Sequence, residues 1–188
     1  MTDFKQEDFD RLKEEVESLV GRKINSPKDF DFLSRQIIGY MGESISTSTL
    51  KRMWGYVSSS CKPSSYNLNL LSRMVGCADW NSFCHSEGEY ASSRFFLKSK
   101  LMAAALDNGE KVKLSWFFGR VVTIVYLGND TFKVEESINS KLSKGDTFTC
   151  HQFVTDEPLY LSNLHHVGMS SPCNYVCGQK GGIKWSLS

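Results

Sequence analysis

The sequence predicts an α+β protein: an N-terminal all-α bundle of helix-turn-helix-like design, followed by a small C-terminal antiparallel β-barrel or sandwich. Three observations carry this. Apolar residues recur at spacings of three and four through most of the first 86 residues, with glycines where several of the runs stop. From Glu110 onward the apolar period changes to two. The period-two runs are short and mostly joined by Gly, Asn and Asp turns, the pattern of small all-β domains. The resulting division is a helical domain over residues 1–86, a linker and connecting helix over 87–106, and an all-β domain over 107–188.

Phe9, Leu12, Val16, Leu19 and Val20 define a first amphipathic helix. Its other face carries Asp10, Glu14, Glu15 and Glu17, which should meet water or a basic partner, and Gly21 ends it. The next helix starts at Ser26-Pro27: serine is a natural N-cap, proline suits the first turn, and Asp29 favours the positive end of the helix dipole. Phe30, Leu33, Ile37, Ile38 and Met41 form its apolar stripe up to Gly42. A tight turn over 42–46 then leads into a short helix over 46–57.

That short helix is the centre of the functional reading. Leu50, Met53, Trp54 and Val57 form its buried stripe, while Ser48, Lys51, Arg52 and Gly55 repeat the same spacing on the opposite side. Ser46 or Thr47 caps the first turn. Hydroxyls, amides and two cations on one free face suit phosphates and base edges, although an ordinary solvated helix face has the same composition. A further helix begins near Ser64 and Ser65, buries Leu68, Leu71, Met74 and Val75, and stops at Gly76. Asp79 then caps a helix over 80–84. The connecting helix is expected over 95–106, ending at Asp107-Asn108-Gly109.

In the second half, Val112, Leu114 and Trp116 alternate with Lys111, Lys113 and Ser115, as in a strand with one wet face. Residues 120–127 are apolar on both faces, which indicates a central strand. Gly128-Asn129-Asp130 is a hairpin connection into 131–136. Lys144-Gly145-Asp146 is another turn, followed by strands over 147–154 and 159–164 and weaker ones near 175–177 and 183–187.

The 188 residues carry a net charge of only +1, so no case for a globally basic protein exists. The sum hides a contrast: residues 1–20 hold seven acids and three bases, whereas 21–75 hold eight bases, Arg22, Lys23, Lys28, Arg35, Lys51, Arg52, Lys62 and Arg73, against three acids. No run is long and apolar enough to span a membrane, and the acidic start MTDFKQEDFD is unlike a secretion signal, so a cytoplasmic location and no membrane partner are expected. Six cysteines without a framework rhythm are expected to be thiols.

Residues 31–75 resemble the helix-turn-helix of the phage-repressor (Xre-like) class of DNA-binding proteins. The corresponding parts are a helix ending at Gly42, a Ser/Thr-rich helix over 46–56, a turn ending at Lys62-Pro63 and a leucine-rich helix over 64–76. Trp54-Gly55-Tyr56 stands where that class has an acidic residue and a glycine, and 57–62 is longer and serine-rich. The resemblance implies that Thr47, Ser48, Thr49, Lys51 and Arg52 face DNA. The whole chain is also similar to a group of uncharacterised bacterial proteins sharing an STLKRxWGY segment (48–56), DWxxF (79–83) and NSKLxxGDTF (139–148).

Other chemistry has weaker support. Cys173, Cys177, Cys150, His151, His165 and His166 are the only soft metal ligands available as a set, yet adjacent strand residues face opposite ways, and buried thiols explain the cysteines better. Cys84-His85 and Glu135-Glu136 fail as catalytic pairs because sequence neighbours diverge. Neither a Walker A nor a dinucleotide fingerprint occurs, and Gly178-Gln179-Lys180-Gly181-Gly182 reads as a basic turn. Trp116, Phe117, Phe118, Tyr126 and Phe132 form either a base-stacking platform flanked by Lys111, Lys113 and Lys133 or, the better reading, a core.

The expectation is therefore a non-catalytic regulator of transcription that binds double-stranded DNA, with a homodimer as a candidate assembly and no cofactor or metal. The competing expectation is a protein-interaction module, with a ligand- or partner-binding β domain and no DNA contact.

Overall fold

The structure, a computed structural model, describes residues 4–85, 99–117 and 119–188. It is an α+β protein that divides into two units, Met1–Lys98 and Ser99–Ser188. No helix among the described residues is long and apolar enough to cross a membrane.

Among its described residues the first unit holds five helices: α1 (Gln6–Val20), α2 (Pro27–Met41), α3 (Thr47–Met53), α4 (Ser65–Met74) and α5 (Trp80–Cys84). α2 packs on α3 and α4, α1 on α4, and α4 on α5. α1 buries Phe9, Leu12, Val16 and Val20 and closes on Gly21 at φ 67. Ser26 and Asp29 form a complete capping box at the start of α2, with Pro27 in the first turn. α2 buries Phe30, Leu33 and Ile37 as expected, but also Phe32 and Gln36, and leaves Ile38 half exposed. A helix with neighbours on two sides buries a wider arc than one stripe, and Ile38 lies outside that arc. α4 is capped by Ser64 and adds Leu70 to the predicted Leu68, Leu71, Met74 and Val75. Asp79 caps α5, and the Ser82 amide that it accepts holds its carboxyl below the usual carboxylate range.

The described residues of the second unit form nine strands. They are β1 (Lys100–Met102), β2 (Lys111–Trp116), β3 (Arg120–Gly128), β4 (Thr131–Ile138), β5 (Thr147–Thr149), β6 (Gln152–Val154), β7 (Leu159–His165), β8 (Cys173–Cys177) and β9 (Ile183–Leu187). Seven form one antiparallel sheet in the order β8-β7-β5-β4-β3-β2-β9, and β1 pairs with β6 in a second sheet. Of the two expected forms, barrel or sandwich, the barrel does not close: β8 and β9 stand at opposite edges of the large sheet. β3 is an interior strand, and its two-residue connection to β4 uses Asn129 and Asp130 at φ 49 and 56, the primed-turn geometry.

Two expectations fail here. Residues 147–154 are not one strand. The chain breaks at Cys150-His151, where Cys150 N donates to Asp130 O and His151 O accepts from Ala103 N, so β5 and β6 belong to different sheets. The connecting helix over 95–106 is also corrected. Its first four residues lie outside the described ones, and the remainder is β1 plus a single 3-10 turn over Ala103–Ala105. The alanines favour a helix locally, but Leu101 faces Phe153 across the β1–β6 ladder, and Leu101, Ala103 and Ala105 are buried at period two. Tertiary pairing overrides the local preference.

Phe132 packs edge-on to Phe153 and against Tyr126 and Phe148, with ring centroids 5.1–5.8 Å apart. Tyr126 and Phe132 are thus core residues and not part of a stacking platform.

Candidate nucleic-acid interface

α3 is shorter than the 46–57 helix expected. Ser46 caps it, its Oγ accepting from Thr49 N at 3.2 Å and sharing hydrogen bonds with Ser48 Oγ and Thr49 Oγ1. Ile45 before the cap and Leu50 after it are both buried, the positions of a hydrophobic staple. The helix stops at Met53 because Gly55 turns left-handed at φ 75, with Gly55 N donating to Arg52 O and Val57 N to Lys51 O. Val57 therefore falls beyond the helix and is 44% exposed, so it leaves the predicted apolar stripe, whereas Leu50 and Met53 stay buried.

Two hydroxyls fix α3 on α2. Ser34 Oγ donates to Ile45 O at 2.8 Å, and Thr47 Oγ1 donates to Asp31 Oδ1 at 3.1 Å. At the other end, Trp54 Nε1 donates to Glu17 Oε1 at 3.1 Å. Glu17 also accepts from Ile24 N and pairs with Lys23 at 3.0 Å. Its side chain is only 12% exposed, which corrects its assignment to the wet face of α1.

The five predicted contact residues thus split. Ser48 and Arg52 are exposed, Lys51 is half-buried, and the hydroxyls of Thr47 and Thr49 hold the helix in place as well as lying at its surface. Of the bases in 21–75, Arg22 is spent on Asp29, Lys23 on Glu17 and Arg73 on Glu43. The Tyr66 hydroxyl and Arg73 hold the Glu43 carboxyl below its usual range. Among the described residues, Lys28, Lys51, Arg52 and Lys62 have no carboxylate partner.

Arg52 and Thr49 line a cleft of about 560 Å³ together with Lys62, Lys13, Ser60 and Ser64, and none of its lining residues is acidic. Lys62 lies over the Phe4 ring at 5.6 Å, and Lys13 pairs with Asp10. Ser64 caps α4 at the rim. Cations, hydroxyls and a helix N-terminus in one concavity are phosphate-binding chemistry. Chain order does not predict this meeting, because the parts come from α1, α3, α4 and the loop before α4.

The cysteines and histidines of the second unit do not assemble a centre. Among the described residues no three His, Cys, Asp or Glu side chains converge on a metal position. Cys173 and Cys177 share one strand four residues apart, roughly 13 Å along it, too far for one tetrahedral ion. Burial pushes the Cys150 thiol up to about 11 and the Cys177 thiol to about 12, which suppresses thiolate chemistry. His151 Nδ1 lies 2.7 Å from Asp130, and His166 Nδ1 lies 2.8 Å from the fully buried Asp146, which also accepts from Ser143 N and Val167 N. These bonds pin turns. In the first unit His85 Nδ1 contacts Asn81 O rather than Cys84, whose thiol is raised to about 11 by burial and then by Asp8. Glu135 pairs with Lys111.

Compared with known proteins, the chain matches no family profile, no curated protein and no solved structure.

Proposed function

We propose that the first unit is a helix-turn-helix-like bundle that binds double-stranded DNA, with α2 and α3 as the paired helices and transcription regulation as the role. The observation that carries the reading is the pair Lys51 and Arg52: both lie on α3, neither has a carboxylate partner among the described residues, and Ser48 is exposed beside them. Arg52 and Lys51 would take phosphates or guanine edges, and Ser48 and Thr49 would position the backbone. Thr47, whose hydroxyl already serves Asp31, would set the depth of α3 rather than read a base.

The test is a titration of the full chain with a mixed-sequence duplex. The Lys51→Ala/Arg52→Ala variant should bind more weakly and lose about two units of salt slope, at roughly 0.9 per phosphate contact, while melting like the parent. Absence of duplex binding by the parent even at low salt would end the proposal.

One observation favours a second reading, a protein-interaction surface or homodimer contact. Tyr56 and Val57, just past α3, are 50% and 44% exposed. Under it, sedimentation would show self-association that Tyr56→Ser abolishes, and Lys51→Ala/Arg52→Ala would change nothing.

A further inference from the structure

The second unit carries a basic track of its own. The turn from β2 to β3 brings Phe117 and Arg120 beside Tyr175 of β8 and Lys180 of the β8–β9 turn, around a cleft of about 590 Å³ that Lys141 also lines. A second cleft, about 270 Å³, shares Phe117, Arg120 and Lys180 with the first and continues to Lys184. The β2–β3 register pairs Arg120 with Trp116 and the β2–β9 register pairs Lys184 with Ser115, so Lys184 stands on the other face of the sheet and the larger cleft holds Arg120, Lys141 and Lys180. No lining residue of either cleft is acidic, and among the described residues Arg120, Lys141, Lys180 and Lys184 have no carboxylate partner. Phe117 is 57% exposed where the two clefts meet.

An accessible ring flanked by unneutralised cations spaced along a groove matches the repeat of a single-stranded polynucleotide, in which flat bases alternate with phosphates. A duplex buries the base faces that such a ring would stack on. The geometry points to a binding site for a short single-stranded stretch of nucleic acid, with a base stacked on Phe117 and neighbouring phosphates held by Arg120, Lys180 and Lys141. The platform is not the one that the run of aromatics indicated: Tyr126 and Phe132 are in the core, Lys111 is paired with Glu135, and Phe118 lies outside the described residues. The site does not depend on the duplex reading of α3.

The experiment is fluorescence anisotropy of a labelled thymidine octamer, which cannot pair with itself, titrated with the full chain at about 50 mM salt, where phosphate contacts are strong. Binding is expected, with a salt slope of about −2 to −3 for three or four phosphates at roughly 0.7 each. Arg120→Ala/Lys180→Ala should weaken it about tenfold or more, and Phe117→Ala about fivefold or more through lost stacking. Lys133→Ala, at an exposed cation that lines none of these clefts, should leave it unchanged. Should a variant melt early, Lys141→Ala replaces it, since that side chain is exposed.

The proposal is overturned if the octamer does not bind, or if binding survives Arg120→Ala/Lys180→Ala and is lost in Lys51→Ala/Arg52→Ala. It is also overturned if thymidine monophosphate competes as well as the octamer at equal concentration, which would make the ligand a single nucleotide.

Discussion

The indole Nε1 of Trp54 donates a 3.1 Å hydrogen bond to Oε1 of Glu17, thirty-seven residues earlier in the chain. This bond ties the C-terminal end of α3 to α1 and places one of α1's acids beneath the helix instead of in water. It leaves Arg52, two residues before Trp54, directed outward. Anchoring and exposure on α3 are therefore two results of one arrangement.

Trp54→Phe keeps a ring but removes the donor. The Glu17 carboxylate, already mostly out of water, then loses one of its partners. Stability should fall by about 1.5–3 kcal/mol, the range for a lost hydrogen bond to a charged group. In urea denaturation the midpoint should drop with the slope unchanged.

Gly181 and Gly182 are neighbours with similar left-handed φ values, 79 and 71, yet they should respond very differently to alanine. At Gly181 a Cβ meets open space, so only backbone strain of about 1–2 kcal/mol is expected. At Gly182 a Cβ would run into the backbone of Asp156 and Glu157, which bond Ile183 at the start of β9. Gly182→Ala should cost about 3 kcal/mol or more, since strain adds to broken pairing. Thermal melts of the two variants check the contrast.

The thiols predict a pH dependence. Burial raises Cys150 and Cys177 from the ordinary 9.0 to about 11 and about 12, so the folded chain keeps protons that the unfolded chain releases. Their contribution to stability is complete below about pH 9 and is lost as pH rises toward the folded values, by up to about 1.4 kcal/mol per pH unit for each thiol. Denaturation midpoints at pH 8 and pH 10 should show the fall. At pH 8 a thiol reagent should modify exposed Cys61 at once, and Cys150 and Cys177 only as the protein opens.

Much of the helical unit was legible in the sequence because its signals are local. A serine or aspartate at a cap, a proline in a first turn, and a glycine at φ 67 or 68 each act within four residues, and they mark α1, α2, α4 and α5. The period of two located most strands of the β unit for the same reason. Pairing partners were not legible. Residues 147–154 read as one strand until the Cys150 corner, and Ala103–Ala105 read as helix until Leu101 met Phe153.

The sequence by itself determined that the chain is α+β, where its helices are capped, and which residues of α3 carry hydroxyls and charge, since these follow from side chains acting on their own backbone. Only the tertiary structure decided which cations remain available and where they gather. Arg22, Lys23 and Arg73 are neutralised by acids 7, 6 and 30 residues away, while Arg52 and Lys62 converge on one cleft and Arg120 and Lys180 on another. Charge is a property of a residue, but a binding surface is a property of distances, and distances between remote residues exist only after the chain has folded.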